Sequence, residues 1–154
     1  MKKFGADVEF PGFGAWRIED DGERLFYLRP SLFGAKTLAS SALTRQVICE
    51  LNDYFLGKRR IFDLPLAPAQ TVFQEEMRRA LLTIPYGEIT SYGKLAALMG
   101  RPRAVRAVGQ ALHVNPIAVI VPCHRVFAAN GIGGFAFGTP LKLRLVELEK
   151  RMIR

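Results

Sequence analysis

Val119-Ile120-Val121-Pro122-Cys123-His124-Arg125-Val126 sets a nucleophile beside a base at the end of an apolar run. The thiolate is the reactive form of cysteine, and a neighbouring base, cation or hydrogen-bond donor is what generates it at neutral pH. Residues 117–121 predict a buried strand, preceded by the break Asn115-Pro116 and ended by Pro122. Cys123 is then expected at a strand end, where a rigid scaffold presents a functional group. Adjacent side chains of an extended backbone point apart, so His124 has to meet Cys123 through a turn or a water. The dipeptide alone leaves two readings open, a reactive thiol and a buried structural cysteine. A carboxylate bears on the choice. The C-terminal segment has Thr139 as cap, Pro140 at the first helical position, and Leu141, Leu145, Leu148 and Met152 along one face. Glu149 falls about 80° from Leu141, at the edge of that face, whereas Glu147 points away. Glu149 is therefore the group able to turn inward and orient an imidazole, the alternative being a solvated surface glutamate.

The charge of the chain is concentrated around this stretch. The 154 residues carry a formal net charge of +8, yet residues 1–88 hold 12 basic and 12 acidic side chains and are neutral. Residues 89–146 hold seven basic ones (Lys94, Arg101, Arg103, Arg106, Arg125, Lys142, Arg144) and no acidic one. A basic stretch without acids that also contains the nucleophile fits a polyanionic partner, nucleic acid foremost, against the alternative of a surface charged for solubility. With 49% hydrophobic residues the chain can bury a core. Phe4-Gly5-Ala6-Asp7-Val8-Glu9 follows the basic Met1-Lys2-Lys3, so no signal-peptide core is read, and no run approaches the ~20 apolar residues of a membrane helix. A cytoplasmic protein is expected. Its two cysteines, Cys49 and Cys123, form no C-x-x-C motif and have two histidines for company, which argues against a disulfide scaffold or structural zinc.

Two domains are expected, 1–66 and 71–154. In the first, Trp16-Arg17-Ile18, the turn Asp20-Asp21-Gly22 and Arg24-Leu25-Phe26-Tyr27-Leu28 predict a hairpin. Leu43, Val47, Leu51 and Tyr54 then predict a helix over 41–55, from whose other side Cys49 projects as a bystander. Residues 56–70, with a glycine, prolines and a basic cluster, read as a linker. The second domain predicts helices over 71–82, 92–99 and 103–113, the last two joined by Gly100-Arg101-Pro102 as in a helix-turn-helix. On the last helix Val105, Val108 and Leu112 form one face; Arg103, Arg106, Gln110 and His113 fall on the other beside the small Ala107 and Gly109. That polar face either touches phosphates or is simply solvated.

The motifs Ser91-Tyr92-x-x-Leu95-Ala96, Arg103-Ala104-Val105 followed by Arg106-Ala107-Val108-Gly109, Asn115-Pro116, and Pro122-Cys123-His124-Arg125-Val126 occur in order. With them the chain resembles the O6-alkylguanine-DNA alkyltransferase family from about Thr71 to Glu149. The resemblance implies an α/β (α+β) protein, a small mixed N-terminal domain before a mostly helical domain with a helix-turn-helix and the active cysteine. It implies irreversible, stoichiometric DNA repair in which Cys123 takes an alkyl group from O6 of guanine, with O4 of thymine also admitted. His124, through a water, and Glu149 would generate the thiolate; Asn115 would brace their turn; Tyr92 would serve the leaving guanine at N3. The carbonyls of Cys123 and Val126 would take the exocyclic amine, the amide of Ala136 would face O6, and Phe135 would line the alkyl site. The base would be flipped out of duplex DNA, Arg106 entering the stack from a helix in the minor groove. Arg101, Arg103, Gly93 and Gln110 complete the expected DNA contacts.

Four departures accompany the resemblance. Ala136 replaces a serine of some members, Phe137 replaces a glycine and would narrow the alkyl pocket if its ring leaned inward, and His113 stands where a basic residue is expected. The zinc-binding residues of some relatives are missing, so neither metal nor cofactor is expected. A monomer is expected. Two other readings are weighed. A damage sensor of the alkyltransferase-like kind would lack the cysteine. A helix-turn-helix regulator would leave the Cys-His pair and the loop 131–138 unexplained.

Overall fold

The computed structural model describes residues 2–31, 37–129 and 131–153. Contacts divide the chain into two compact units, Met1–Pro68 and Ala69–Arg154. Each has its own core.

In the first unit β1 (Phe4–Phe10), β2 (Gly14–Asp20) and β3 (Leu25–Pro30) form an antiparallel sheet in the order β1-β2-β3. β2 and β3 make the expected hairpin around Asp21 and Gly22. β1 is an addition to it: its pattern is interrupted by Gly5 and Asp7, and its register comes from pairing with β2 along its whole length, Phe4 opposite Asp20 and Phe10 opposite Gly14. The helix α1 (Ala42–Phe55) covers the sheet, burying Leu43, Val47, Leu51, Tyr54 and Phe55 with Phe10, Trp16, Ile18, Leu25 and Leu28. Ser41 caps it through a capping box with Thr44, and both hydroxyls donate to the buried carboxylate of Asp20, the Ser41 bond being 2.6 Å. The expected linker is partly built into this unit, because Leu25 exchanges backbone hydrogen bonds with Pro65 and Ala67.

The second unit runs α2 (Val72–Leu82), β4 (Thr90–Ser91), α3 (Tyr92–Leu98), α4 (Val105–His113), a 3₁₀ turn (Cys123–Arg125), β5 (Val126–Phe127) and α5 (Thr139–Met152). Thr71 and Ser91 cap α2 and α3. α3 ends on Gly100 at φ +74°, where Gly100 donates to the carbonyl of Ala97 and Arg101 to that of Ala96, a Schellman closure. This is the turn of a helix-turn-helix. Leu95, Ala96, Val108, Ala111, Leu112, residues 117–121, Val126, Leu145 and Leu148 are buried beneath it. Among the described residues no helix is long and apolar enough to cross a membrane.

Three expectations change. α4 begins at Val105, since Pro102 and Arg103 form a turn in which Ala104 donates to Arg101; Arg103 therefore lies before the helix, and Val105 is 40% exposed instead of packed. α5 takes Gly138 as its cap residue and Thr139 into its first turn. Residues 117–121 are buried but make no strand: Val121 donates to Ile117, Ile120 to Ala118, and Cys123 to Val121. Val119 sits there at φ +69°, a conformation that costs a β-branched residue about 1–3 kcal/mol and is typically kept near functional sites.

Candidate active site

Asn115 explains how an apolar run can turn upon itself in the core. Buried to 4% exposure, its amide donates to the carbonyls of Ile117 (3.3 Å) and Val121 (3.0 Å), and its oxygen accepts from the N–H of Ile117 (3.2 Å). One side chain thus satisfies backbone groups that a sheet would have paired. The turn it closes delivers Cys123 as the first residue of the 3₁₀ turn, not at the end of a strand. On the far side β5 pairs in parallel with β4, Thr90 opposite Val126 and Ser91 opposite Phe127, which ties the cysteine segment to the start of α3 and to Tyr92.

Neither cysteine forms a disulfide; Cys49 is exposed and Cys123 buried. Cys123 lines a cavity of about 130 Å³ with Tyr92, Leu112, Val126, Phe135 and Ala136 among its walls. Tyr92, Gly109 and His113 belong both to this cavity and to a wider groove along α4 that includes Val105, Arg106 and Gln110. The two spaces therefore meet at the exposed face of α4. Phe137 is not among the cavity walls; its ring meets that of Phe135 edge-on, with centroids 5.3 Å apart. Gly133, at φ +73°, has no room for a side chain: a Cβ would stand 2.9 Å from the Ala128 nitrogen and 3.0 Å from the Tyr92 hydroxyl.

Behind the cysteine lies a buried charge cluster. His124 is fully buried and its Nε2 is 2.6 Å from Oε2 of Glu149; no hydrogen-bond partner meets its Nδ1 among the described residues. Glu149 also accepts from Arg125, whose Nε and one terminal nitrogen reach its two oxygens at 2.8 and 3.1 Å, and from the N–H of Gly87 at 3.1 Å. Burial would raise the Glu149 pKa, but the hydrogen bonds and charges of His124 and Arg125 overcome it and hold the carboxyl well below its usual range. Burial pushes His124 below its ordinary value; Glu149 opposes that shift, and the charges of Arg125 and Lys142 add to it. An ionised carboxylate can only accept, so Nε2 carries the proton and Nδ1 is the basic nitrogen.

Lys142 is a second buried charge on α5, seven residues before Glu149 and so on the same face. Its ammonium donates to the carbonyls of Val126 (2.5 Å), Ile132 (2.8 Å) and Gly134 (3.2 Å) and lies over the ring of Phe127. It fastens the loop 131–138 to the cysteine segment. Burial lowers its pKa to about 8, the charge of Cys123 acting in the opposite direction. Sequence reasoning passed over Lys142 and Arg125 except as charges; the signal for Lys142 was its heptad spacing to Glu149 within a stretch free of acids.

The basic side chains of the helix-turn-helix are unequally placed. Arg103, Arg106, Gln110 and His113 are exposed. Arg101 is engaged with Glu76 of α2 through two hydrogen bonds of 2.8 and 3.3 Å and lies over the ring of Phe73. At Gly93, on the exposed first turn of α3, an added Cβ would meet nothing within 4 Å. Among the described residues no group of three or more His, Cys, Asp and Glu side chains is placed to hold a metal ion.

Residues 72–151 match the model of the 6-O-methylguanine DNA methyltransferase DNA-binding domain. A methylated-DNA–protein-cysteine methyltransferase of Methanosarcina barkeri is 47% identical over 111 residues, 71% of this chain and 70% of the relative. This chain belongs to the methylated-DNA–protein-cysteine methyltransferase family. Another member, from Mycobacterium tuberculosis, is 52% identical over 102 residues, 66% of this chain and 62% of that one. The likeness extends to both units of this methyltransferase. The crystal structure of the M. tuberculosis O6-methylguanine methyltransferase superposes with a TM-score of 0.88 at 38% identity, covering 97% of this chain and 94% of that one. The M. tuberculosis protein in complex with DNA gives 0.86 at 39% identity, over 99% and 94%.

Proposed function

We infer that this chain repairs DNA by moving an alkyl group, methyl above all, from O6 of guanine to Cys123, each molecule reacting once. O4 of thymine presents a related group and is a second substrate of the same kind. The observation that carries the reading is the meeting of two spaces, the Cys123 cavity and the groove along α4, at Tyr92, Gly109 and His113. A base stacked in a duplex cannot offer its O6 substituent to a cavity, so the nucleotide is rotated out of the stack. The exposed face of α4 lies in the minor groove, Ala107 and Gly109 allowing close approach, and Arg106 fills the space the base has left.

In the cavity the carbonyls of Cys123 and Val126 accept from the exocyclic amine, the amide of Ala136 faces O6, and Phe135 walls the alkyl group. The Cys123 thiol loses its proton to Nδ1 of His124 by way of a bridging water, while Nε2–H remains on Glu149. Sulfur attacks the alkyl carbon as the carbon–O6 bond breaks, and the electron pair passes into the guanine ring. The Tyr92 hydroxyl meets that charge at N3. The proton that His124 took up is returned to neutralise the purine, so guanine and a thioether are the products. The thioether has no route back to the thiol, so there is no turnover. A cytoplasmic, monomeric protein is part of the same reading.

Incubation with a duplex bearing O6-methylguanine labelled in the methyl group tests this. The label should pass to the protein, one group per molecule; label left on DNA or released to solvent would contradict it. The ion pairs of the helix-turn-helix add a finer prediction. Arg103→Ala should lower the salt dependence of duplex binding by ~1 in slope, the value for one phosphate contact. Arg101→Ala should change it less, because Arg101 gives up Glu76 and Phe73 before meeting a phosphate. Equal slopes in titrations from low to high salt would show that the Glu76 pair leaves Arg101 free to act.

A further inference from the structure

Arg125 follows His124 in the 3₁₀ turn, and the chemistry above gives it no part. It is nevertheless the cation paired with the buried carboxylate of the site. Only 8% exposed, it forks both oxygens of Glu149, donates its other terminal nitrogen to the carbonyl of Ile84 at 2.7 Å, and lies 5.8 Å from the centre of the Tyr86 ring. The fork fixes the plane of the carboxylate as well as its position. Gly87 supplies a further donor from the turn before β4; its backbone there is at φ +84° and a Cβ would strike Ile153.

A guanidinium and an imidazole thus share one carboxylate. We propose that Arg125 is a positioning residue for alkyl transfer: it locks both oxygens of Glu149, and by matching that negative charge it leaves His124 an uncharged base for the Cys123 proton. The proposal rests on the function inferred above. The ionisable groups around His124 are Glu149 and Lys142 from α5, Cys123 and Arg125 from its own turn, and Tyr86 on the far side of Arg125. Glu149 is the carboxylate that acts on His124, and Arg125 already balances it. Without Arg125 the natural counter-charge of Glu149 becomes a protonated His124. An imidazolium cannot take a proton. The sign follows: the charge of Arg125 pushes the His124 pKa down, so removing it pushes that pKa up and the base is lost at a higher pH.

The test is the rate of Cys123 alkylation by free O6-benzylguanine, read by protein mass between pH 5 and 9, with no DNA present. Wild type is compared with Arg125→Gln, which keeps a hydrogen-bond donor without charge, and Arg125→Lys, which keeps the charge without the fork. Thermal unfolding establishes that each variant is folded. Arg125→Gln should move the acid limb of the profile upward by about one unit, the low end of the effect of an adjacent charge. Arg125→Lys should react more slowly with the limb close to its wild-type place. If both variants lose rate equally at every pH, Arg125 is a structural clamp and the proposal fails. If wild type takes up no benzyl group at Cys123, the same pH profiles are read with a duplex carrying O6-methylguanine, and no uptake there means that the inferred function fails instead.

Discussion

Cys123→Ser should transfer no detectable alkyl group while still folding and binding duplex DNA. The serine hydroxyl is nearly the size of the thiol but far less nucleophilic, and His124 is too weak a base to ionise it as it does a thiol. Because Cys123 is only 5% exposed and lines the cavity together with Leu112 and Val126, a swap of nearly equal size leaves the packing almost unchanged. Uptake of a methyl group by the serine variant, measured beside DNA affinity, would remove Cys123 from the role of acceptor.

Lys142→Met is expected to slow transfer without touching the reacting atoms. Its ammonium donates to the carbonyls of Val126, Ile132 and Gly134 and so ties the loop 131–138 to Val126, and a charged hydrogen bond is worth about 1.5–3 kcal/mol. If about 3 kcal/mol of loop closure is lost and felt in the transition state, the rate falls roughly a hundredfold. Methionine has nearly the length of the lysine stem and is apolar, so the fold should survive. The charge has its own signature. In the folded protein the Lys142 pKa is about 8 against an ordinary 10.5. Between those values the unfolded chain binds a proton that the folded one does not, so this residue's contribution to stability grows with pH across the window. It is fully present above 10.5 and lost as pH falls through 8. Denaturant unfolding should therefore show wild type gaining stability between pH 8 and 10.5 relative to the variant, whose curve lacks that rise. A variant that reacts at the wild-type rate would show that the loop does not depend on Lys142.

The parts of this fold that were legible in the sequence are those fixed by local chemistry. Apolar residues at helical spacing marked α1, and the helices expected over 41–55 and 71–82 begin in the structure at the caps Ser41 and Thr71. Glu149 was visible as a carboxylate on the edge of an apolar face, and the structure places it against His124. What could not be read is what depends on distant partners. The run 117–121 has the composition of a buried strand, and burial is what it has; the hydrogen bonds that would have made a strand are taken by the side chain of Asn115. β1 exists through its pairing with β2 more than through its own alternation. Lys142 and Arg125 are charged, and a charged residue reads as surface until the carbonyls and carboxylate that hold it are brought in. For Arg125 one of these, Ile84, lies 41 residues away. Phe137 shows the same limit on a smaller scale, since only the fold could decide that its ring meets Phe135 and stays off the cavity wall.

The most direct measurement is mass spectrometry of the protein after reaction with a duplex carrying O6-methylguanine, followed by cleavage after basic residues. Cuts at Arg106 and Arg125 release the peptide 107–125, which contains Cys123 and not Cys49. Cys49 is an internal control, because an exposed thiol is the one that indiscriminate methylation would reach first. One methyl group on peptide 107–125, with the Cys49 peptide unmodified, is the predicted result. An unmodified 107–125 peptide from protein that has restored guanine in the duplex, or methyl groups spread over both cysteines, would contradict transfer to a Cys123 activated by its site.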